Sequence, residues 1–217
     1  MQRGFIVEIE GINGSGKTTL TKQLYDDLKL KGYPVELVRE PGGSSVAEKI
    51  RDIAVDNSLG SLSELSGLFL YMASRSQLIY DKVEKYLSDG KIIIYDRYED
   101  STRVYQGVLA NIGIMTVDSM LKTFFSEYKP KVTILLDVEP TLGVKRANKD
   151  GVAINKYDKK PLEFYEKARE AYMSIFEERI KTDEHCYILD SNRDKSIVYE
   201  ELLSIVEKEI KDSLVDN

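Results

Sequence analysis

The chain alternates between short apolar runs and longer stretches whose apolar residues recur at helical spacing. Residues 5–10, "FIVEIE", read as a strand running into a glycine-rich turn. "KTTLTKQLYDDLKLKG" then repeats its apolar positions three and four residues apart and stops at Gly32, so it reads as a helix. "PVELVRE", "IIIYDRY", "KVTILLDV" and "CYILDS" read as four further strands. Helical patterns cover "SSVAEKIRDIAV", residues 62–87, "PLEFYEKAREAYMSIFEERI" and the tail "SIVYEELLSIVEKEIKDSL". Apolar strands separated by helices imply an α/β fold, with a parallel five-stranded sheet covered by helices on both faces. Ligands of such sheets sit beyond the carboxyl ends of the strands. Gly11, Glu40, Asp96 and Asp137 fall at or just past those ends.

One stretch departs from the alternation. "ANKDGVAINKYDKK", residues 147–160, is polar and holds Gly151, Lys149, Lys156, Lys159 and Lys160. It reads either as an ordinary solvated loop or as a mobile lid, residues 146–160, that brings cations to phosphates.

Composition narrows the classes. A length of 217 residues suits one domain, residues 1–217, with the lid as a small insertion. The formal net charge of -6 argues against a general grip on nucleic acid, so a free nucleotide is the expected substrate. The lone Cys186 rules out an intramolecular disulfide. His185 is the only histidine, which excludes a multi-histidine metal site, and no Ser-His-Asp system is expected around it. Both read as strand-edge and core residues. The N-terminal stretch reads as a strand rather than a signal peptide, and no apolar run approaches membrane-spanning length. The expected location is cytoplasmic, without a membrane partner.

The turn after the first strand is "GINGSGKTT". Gly11, Gly16, Lys17 and Thr18 make the G-x-x-x-x-G-K-T pattern of a phosphate-binding loop. Its glycines let backbone N–H groups approach phosphates, and the following helix turns its positive end toward them. Gly11, Ile12, Asn13, Gly14, Ser15, Gly16, Lys17, Thr18 and Thr19 are the candidate ATP cradle. Lys17 would reach the β and γ phosphates, and the Thr18 hydroxyl would coordinate magnesium. Asp96 ends an apolar strand, where a carboxylate can approach that magnesium or its waters, and Arg97 stands beside it.

A nucleoside monophosphate acceptor needs cations for its phosphate and a flat surface for its base. Arg51, Arg97 and Arg39 can offer bidentate contacts to phosphate oxygens. Tyr71 offers a face for a pyrimidine, and Arg75 follows four residues later on the same side of a helix. "REPGG" at 39–43, "IR" at 50–51, "YMASR" at 71–75 and "DRYEDSTRVYQG" at 96–107 occur in order, and together they resemble thymidylate kinase. The resemblance runs from the first strand to the last helix. It implies the P-loop nucleoside-monophosphate-kinase fold, transfer of phosphate from ATP to dTMP with magnesium, and a homodimer paired through the helix at residues 63–80. It also implies that Arg75 donates to O4 of the base, that Thr102 and Gln106 contact the base, and that Tyr105 lies beneath the sugar. Glu40 would lie beside the magnesium and acceptor phosphate, with a lesser role for Glu10. The family usually has phenylalanine at the position of Tyr71, and serine or asparagine at that of Thr102.

A further cation opposite Lys17 is supplied in some members from inside the phosphate loop and in others from the lid. Here the loop interior has no arginine. Arg146 at the lid's base, Lys149 and Lys156 stay open as alternatives. Rival functions are a kinase of another nucleoside monophosphate or of a deoxynucleoside, or a GTP-binding switch. The last would use "NKYD" at 155–158, which lacks the expected strand before it.

Overall fold

A computed structural model describes residues 3–56, 62–149, 160–183 and 185–215. Five parallel strands form one sheet in the order β2-β3-β1-β4-β5: β1 Ile6–Glu10, β2 Val35–Arg39, β3 Ile92–Asp96, β4 Val132–Asp137 and β5 Cys186–Asp190. The sequence placed each of them to within a residue or two. β1 lies between β3 and β4, opposite Ile93 and Ile94 on one side and Val132 and Ile134 on the other. The order reverses at β1, so the glycine turn that follows it opens at the switch point of the sheet.

Alternation along the central strands sorts the two faces. Val7, Ile9, Ile92, Ile94, Val132 and Ile134 face one way and pack on α1 (Lys17–Leu30) and α9 (Lys195–Val215). Ile6, Ile93 and Tyr95 face the other way. They pack on α3 (Glu64–Leu78) and α6 (Ile114–Phe125). Leu135 and Cys186 extend that side toward α8 (Leu162–Ile180). Glu8 and Glu10 lie on this second side too, both buried.

The remaining helices are α2 (Ser45–Val55), α4 (Glu84–Ser88), the four-residue α5 (Glu99–Thr102) and α7 (Pro140–Lys149). The pattern over residues 62–87 is α3 and α4 joined by a π-helical turn, Ile79–Val83. Ser63 caps α3 by accepting from Ser66 N at 3.1 Å. α6 and the π-helical segment Arg103–Leu109 had no counterpart in the sequence reading, although α6 carries Val117, Leu121 and Phe125 at regular helical spacing. His185 precedes β5 with Nδ1 2.8 Å from Glu209, and Cys186 is buried. Burial pushes the Cys186 thiol up to about 12, which suits a core residue. Among the described residues no helix is long and apolar enough to cross a membrane.

Leu24 sits with no exposed surface between the sheet and α9. Leu24→Ala is expected to lower unfolding stability by about 2–5 kcal/mol, the range for a cavity left in a close-packed core. The check is a lower denaturant midpoint with an unchanged m-value.

Candidate active site

The glycine turn is held open by its neighbours. Gly14 has φ 77°, and a Cβ there would stand 1.9 Å from the carbonyl oxygen of Gly143 on α7. A side chain at Gly14 would therefore push α7 off the loop. Ser191, in the turn between β5 and α9, donates its hydroxyl to Ser15 O at 2.6 Å and props the loop from behind. Lys17 opens α1 and is buried. Its ammonium donates to Gly11 O at 2.7 Å, Ile12 O at 2.8 Å and Ser15 Oγ at 3.3 Å. Burial, and then the nearby Arg97 charge, push Lys17 down to about 7. Thr18 Oγ1 donates to Asp96 Oδ2 at 2.7 Å, so the two candidate metal-binding oxygens meet although 78 positions separate them.

Beside this loop a cleft encloses about 730 Å³, open solvent at its mouth included. The structure brings all the candidate acceptor residues but Arg39 to its walls: Glu40, Arg51, Tyr71 and Arg75, with Arg97, Thr102, Tyr105 and Gln106. Asn13 of the glycine loop lines it as well. Arg75 is almost fully buried. Its Nε donates to Glu40 Oε2 at 2.7 Å, and its Nη2 donates to Tyr98 O at 2.9 Å and Thr102 Oγ1 at 3.0 Å. Nη1 of Arg75 and Oε1 of Glu40 are buried with no protein partner. Burial pushes the Glu40 carboxyl up to about 7 against the pull of Arg75.

Arg97 has a φ of 70°, a left-handed conformation unusual for a residue with a side chain. Its guanidinium donates to Gly11 O at 3.0 Å and to Asn13 Oδ1 at 2.7 Å, and lies 5.5 Å from the Tyr105 ring centroid. It thus stands between the glycine loop and the cleft.

Several expectations need correction. Arg39 does not enter the cleft: its Nη2 bonds both carboxylate oxygens of Glu48, at 2.8 and 3.0 Å, on the exposed side of α2. Glu40 pairs with Arg75 in the cleft through Oε2, which leaves Oε1 as its oxygen without a described protein partner. Glu10 has a larger part than anticipated. Its carboxylate accepts from Tyr98 N, Ser101 N, Ser101 Oγ and Tyr172 OH, all within 2.8–2.9 Å. Asp137 is taken by Arg169 of α8 through two bonds, at 2.7 and 2.8 Å. Arg146 does not line the cleft: its Nη1 donates to Ser191 O at 2.7 Å, behind the glycine loop. Most of the lid, with Lys156, Lys159 and the "NKYD" stretch, lies outside the described residues, as does the side chain of Lys149. Lys160 is described, with its ammonium 5.6 Å from the Phe164 ring centroid.

Glu10 and Tyr172 were missed as a pair. A glutamate ending a buried strand was a signal, since a buried carboxylate has to find donors. Nothing local in the sequence points to Tyr172 as one of them.

A glycine loop between the central strand and α1, beside an aspartate that closes the neighbouring strand, belongs to the P-loop nucleoside-monophosphate-kinase fold. A thymidylate kinase crystal structure from Ehrlichia chaffeensis superposes with a TM-score of 0.74 at 25% identity, covering 94% of this chain and 99% of that one. The thymidylate kinase family matches residues 9–202. The thymidylate kinase of Chlamydia abortus is 40% identical over 178 residues, 81% of this chain and 83% of its own. That of Bacillus velezensis is 32% identical over 209 residues, 96% of this chain and 97% of its own. The chain belongs to the thymidylate kinase family, whose members are phosphotransferases.

The depressed Lys17 sets a proton-linked expectation. With its pKa near 7, the free amine predominates above neutrality, and a polyphosphate beside it restores the ammonium. Nucleoside triphosphate binding at pH 8 is therefore expected to take up protons, fewer as pH falls toward 6. Titration calorimetry in two buffers of different ionisation enthalpy measures the uptake. Zero uptake at pH 8 would contradict a depressed Lys17.

Proposed function

We propose that this chain transfers the γ-phosphoryl group of ATP to dTMP, giving ADP and dTDP, with magnesium. The observation that carries the acceptor assignment is the state of Arg75. Three of its contacts are with protein, and the remaining buried amino group, Nη1, faces the need for an acceptor. Thr102 Oγ1 already accepts from Arg75, so its own proton is available for donation. A pyrimidine with an oxygen at position 4 meets both donors. Cytosine would set an amino group against them and leave buried donors unpaired. Tyr71 would cover one face of the base, and Tyr105 would lie beneath the sugar. Gln106 would meet a base edge.

The acceptor brings its own ionised phosphate oxygen, so the transfer needs no general base. Arg51, with a single 3.3 Å bond to Pro41 O, can turn to that phosphate. Lys17 and Arg97 lie where charge spreads over the moving group, and catalysis is positioning and electrostatic stabilisation. Thr18 and Asp96 offer hard oxygen ligands from two sides, a sparse set that suits a magnesium ion keeping most of its waters. Bound there, magnesium would neutralise phosphate charge. The cation opposite Lys17 stays with Arg146, Lys149 or Lys156. Arg146 would have to leave Ser191 to serve. Residues 1–217 act as one kinase domain with a lid at 146–160, and we assign the enzyme to the cytoplasm, where its nucleotide substrates are.

An ADP-release assay over the common nucleoside monophosphates and thymidine tests the activity. dTMP is expected to be the preferred acceptor. Turnover with thymidine and none with dTMP would overturn the proposal. Arg75→Ala is expected to raise KM for dTMP and leave that for ATP nearly unchanged. The loss corresponds to about 1–3 kcal/mol, as for a buried hydrogen-bonding group that loses its partner. Equal rises in both constants would refute the role.

We also propose a homodimer. Leu65, Phe69, Ala73 and Tyr80 form an exposed stripe along α3 and the turn after it, while Leu68, Met72, Leu78 and Ile79 face the core. Leu70 is half-buried. Phe69 at 55% and Tyr80 at 83% exposure belong to this stripe, which is costly to leave in water. Light scattering at micromolar concentration is expected to give the mass of two chains, and Phe69→Glu that of one. A monomeric wild type would reject the pairing.

A further inference from the structure

Six residues between Arg97 and Gln106 line the cleft, on backbone with little regular structure to hold it. The chain leaves β3 through the left-handed Arg97, makes the single turn of α5 and enters the π-helical segment. A four-residue helix does not hold itself. Its anchors come from outside.

Asp100, in the middle of this turn, is fully buried and does not line the cleft. Arg179, near the C-terminal end of α8, grips its carboxylate with both arms. Nη1 reaches Oδ2 at 2.7 Å and Nη2 reaches Oδ1 at 2.6 Å. Arg103 adds a bond to Oδ1 at 2.9 Å and is itself tied to Glu99 at 2.9 Å and Asp118 at 2.7 Å. The backbone N–H of Asp100 donates to Glu8 Oε1 at 3.0 Å. Burial alone would raise the Asp100 carboxyl, but Arg179 and Arg103 outweigh it and hold Asp100 below its usual range. Burial and the Asp100 charge drive Glu8 well above its own. Several carboxyl groups thus crowd beneath the turn, and Arg179 is a principal counter-charge.

We infer that Arg179 is a positioning residue for acceptor recognition: its two-pronged bond to Asp100 sets the turn that places Thr102 against Arg75. The inference rests on reading the cleft as the dTMP site. Thr102 is two residues from Asp100, and its Oγ1 stands 3.0 Å from Arg75 Nη2. A shift of the turn moves the base-facing hydroxyl. Among the described hydrogen bonds, none joins Asp100 or Arg179 directly to the glycine loop or to Lys17.

The experiment compares Arg179→Gln, Arg179→Lys and the double variant Asp100→Asn/Arg179→Gln. KM for dTMP is expected to rise roughly tenfold in Arg179→Gln, the scale of a lost charge-assisted hydrogen bond. KM for ATP should stay near the wild-type value, and the preference for dTMP over dCMP should narrow. Arg179→Lys, which keeps the charge but not the fork, should fall between. The double variant, with neither buried charge left alone, should recover part of the loss relative to Arg179→Gln. If Arg179→Gln does not fold, Arg179→Lys decides by the same constants. A lower melting temperature with wild-type KM for dTMP would make Arg179 a fastener of α8 only, and parallel rises in both KM values would mean general damage. Either result overturns the inference. Arg75→Ala run alongside separates the two layers. Unchanged dTMP KM in that variant removes the cleft reading itself. A raised KM there with unaffected Arg179 variants removes only the role of Arg179.

Discussion

A carboxylate withdrawn from water has to be met by donors or it is driven neutral. Glu10 has no exposed surface, and it meets that requirement with donors from two separate parts of the chain. Backbone N–H groups of Tyr98 and Ser101 and the Ser101 hydroxyl come from the turn after β3, and the Tyr172 hydroxyl comes from α8. The next residue, Gly11, begins the phosphate loop. One buried group therefore ties the donor loop, the acceptor-reading turn and the helix that follows the lid. Because leaving any of its donors unpaired is costly, the relative position of donor and acceptor sites is set by a satisfied charge rather than by loop contacts alone.

The sheet is built unevenly to allow this. Its α1 and α9 face is apolar throughout the central strands, and supplies the hydrophobic core against which α1 is pressed. On the opposite face the same alternation puts Glu8, Glu10 and Tyr95 where a core residue would otherwise stand. Beside them a guanidinium layer meets two further buried carboxylates, Arg75 on Glu40 and Arg179 and Arg103 on Asp100. One face holds the scaffold together, and the other aligns the groups that face the nucleotide.

This division explains what could be read from the sequence. The five strands and the phosphate loop were legible because they follow local rules: apolar runs of strand length, and glycines where backbone has to approach an anion. Arg75 and Tyr71 were legible from their helical spacing. Arg39 was misplaced because Glu48, nine residues on, captures it, and sequence order does not say which carboxylate an arginine will choose. Arg146 was one of three candidates for the cation opposite Lys17, and a main-chain acceptor on the β5–α9 turn holds it here. Glu10 with Tyr172, and Asp100 with Arg179, are partners 162 and 79 positions apart. Only the folded sheet and α8 bring them together, so no local pattern announces them. α6 is different: Val117, Leu121 and Phe125 repeat every four residues, so its pattern was there to be read and was passed over.

Arg97 shows how the donor and acceptor halves depend on each other. Its left-handed backbone carries a strain of about 1–3 kcal/mol, which persists only where surrounding contacts over-determine it. Those contacts are its own N–H to Ile9 O at 3.1 Å and its guanidinium to Gly11 O and Asn13 Oδ1. The conformation turns the side chain back over the phosphate loop instead of along the strand. There it lies close enough to Lys17 to depress that amine, two cations sharing one buried site. Such a pair is unfavourable in the free protein and is relieved by phosphate. Arg97 thus stands where the glycine loop meets the cleft, held to the loop by Gly11 O and Asn13 Oδ1 and facing the cleft beside Tyr105.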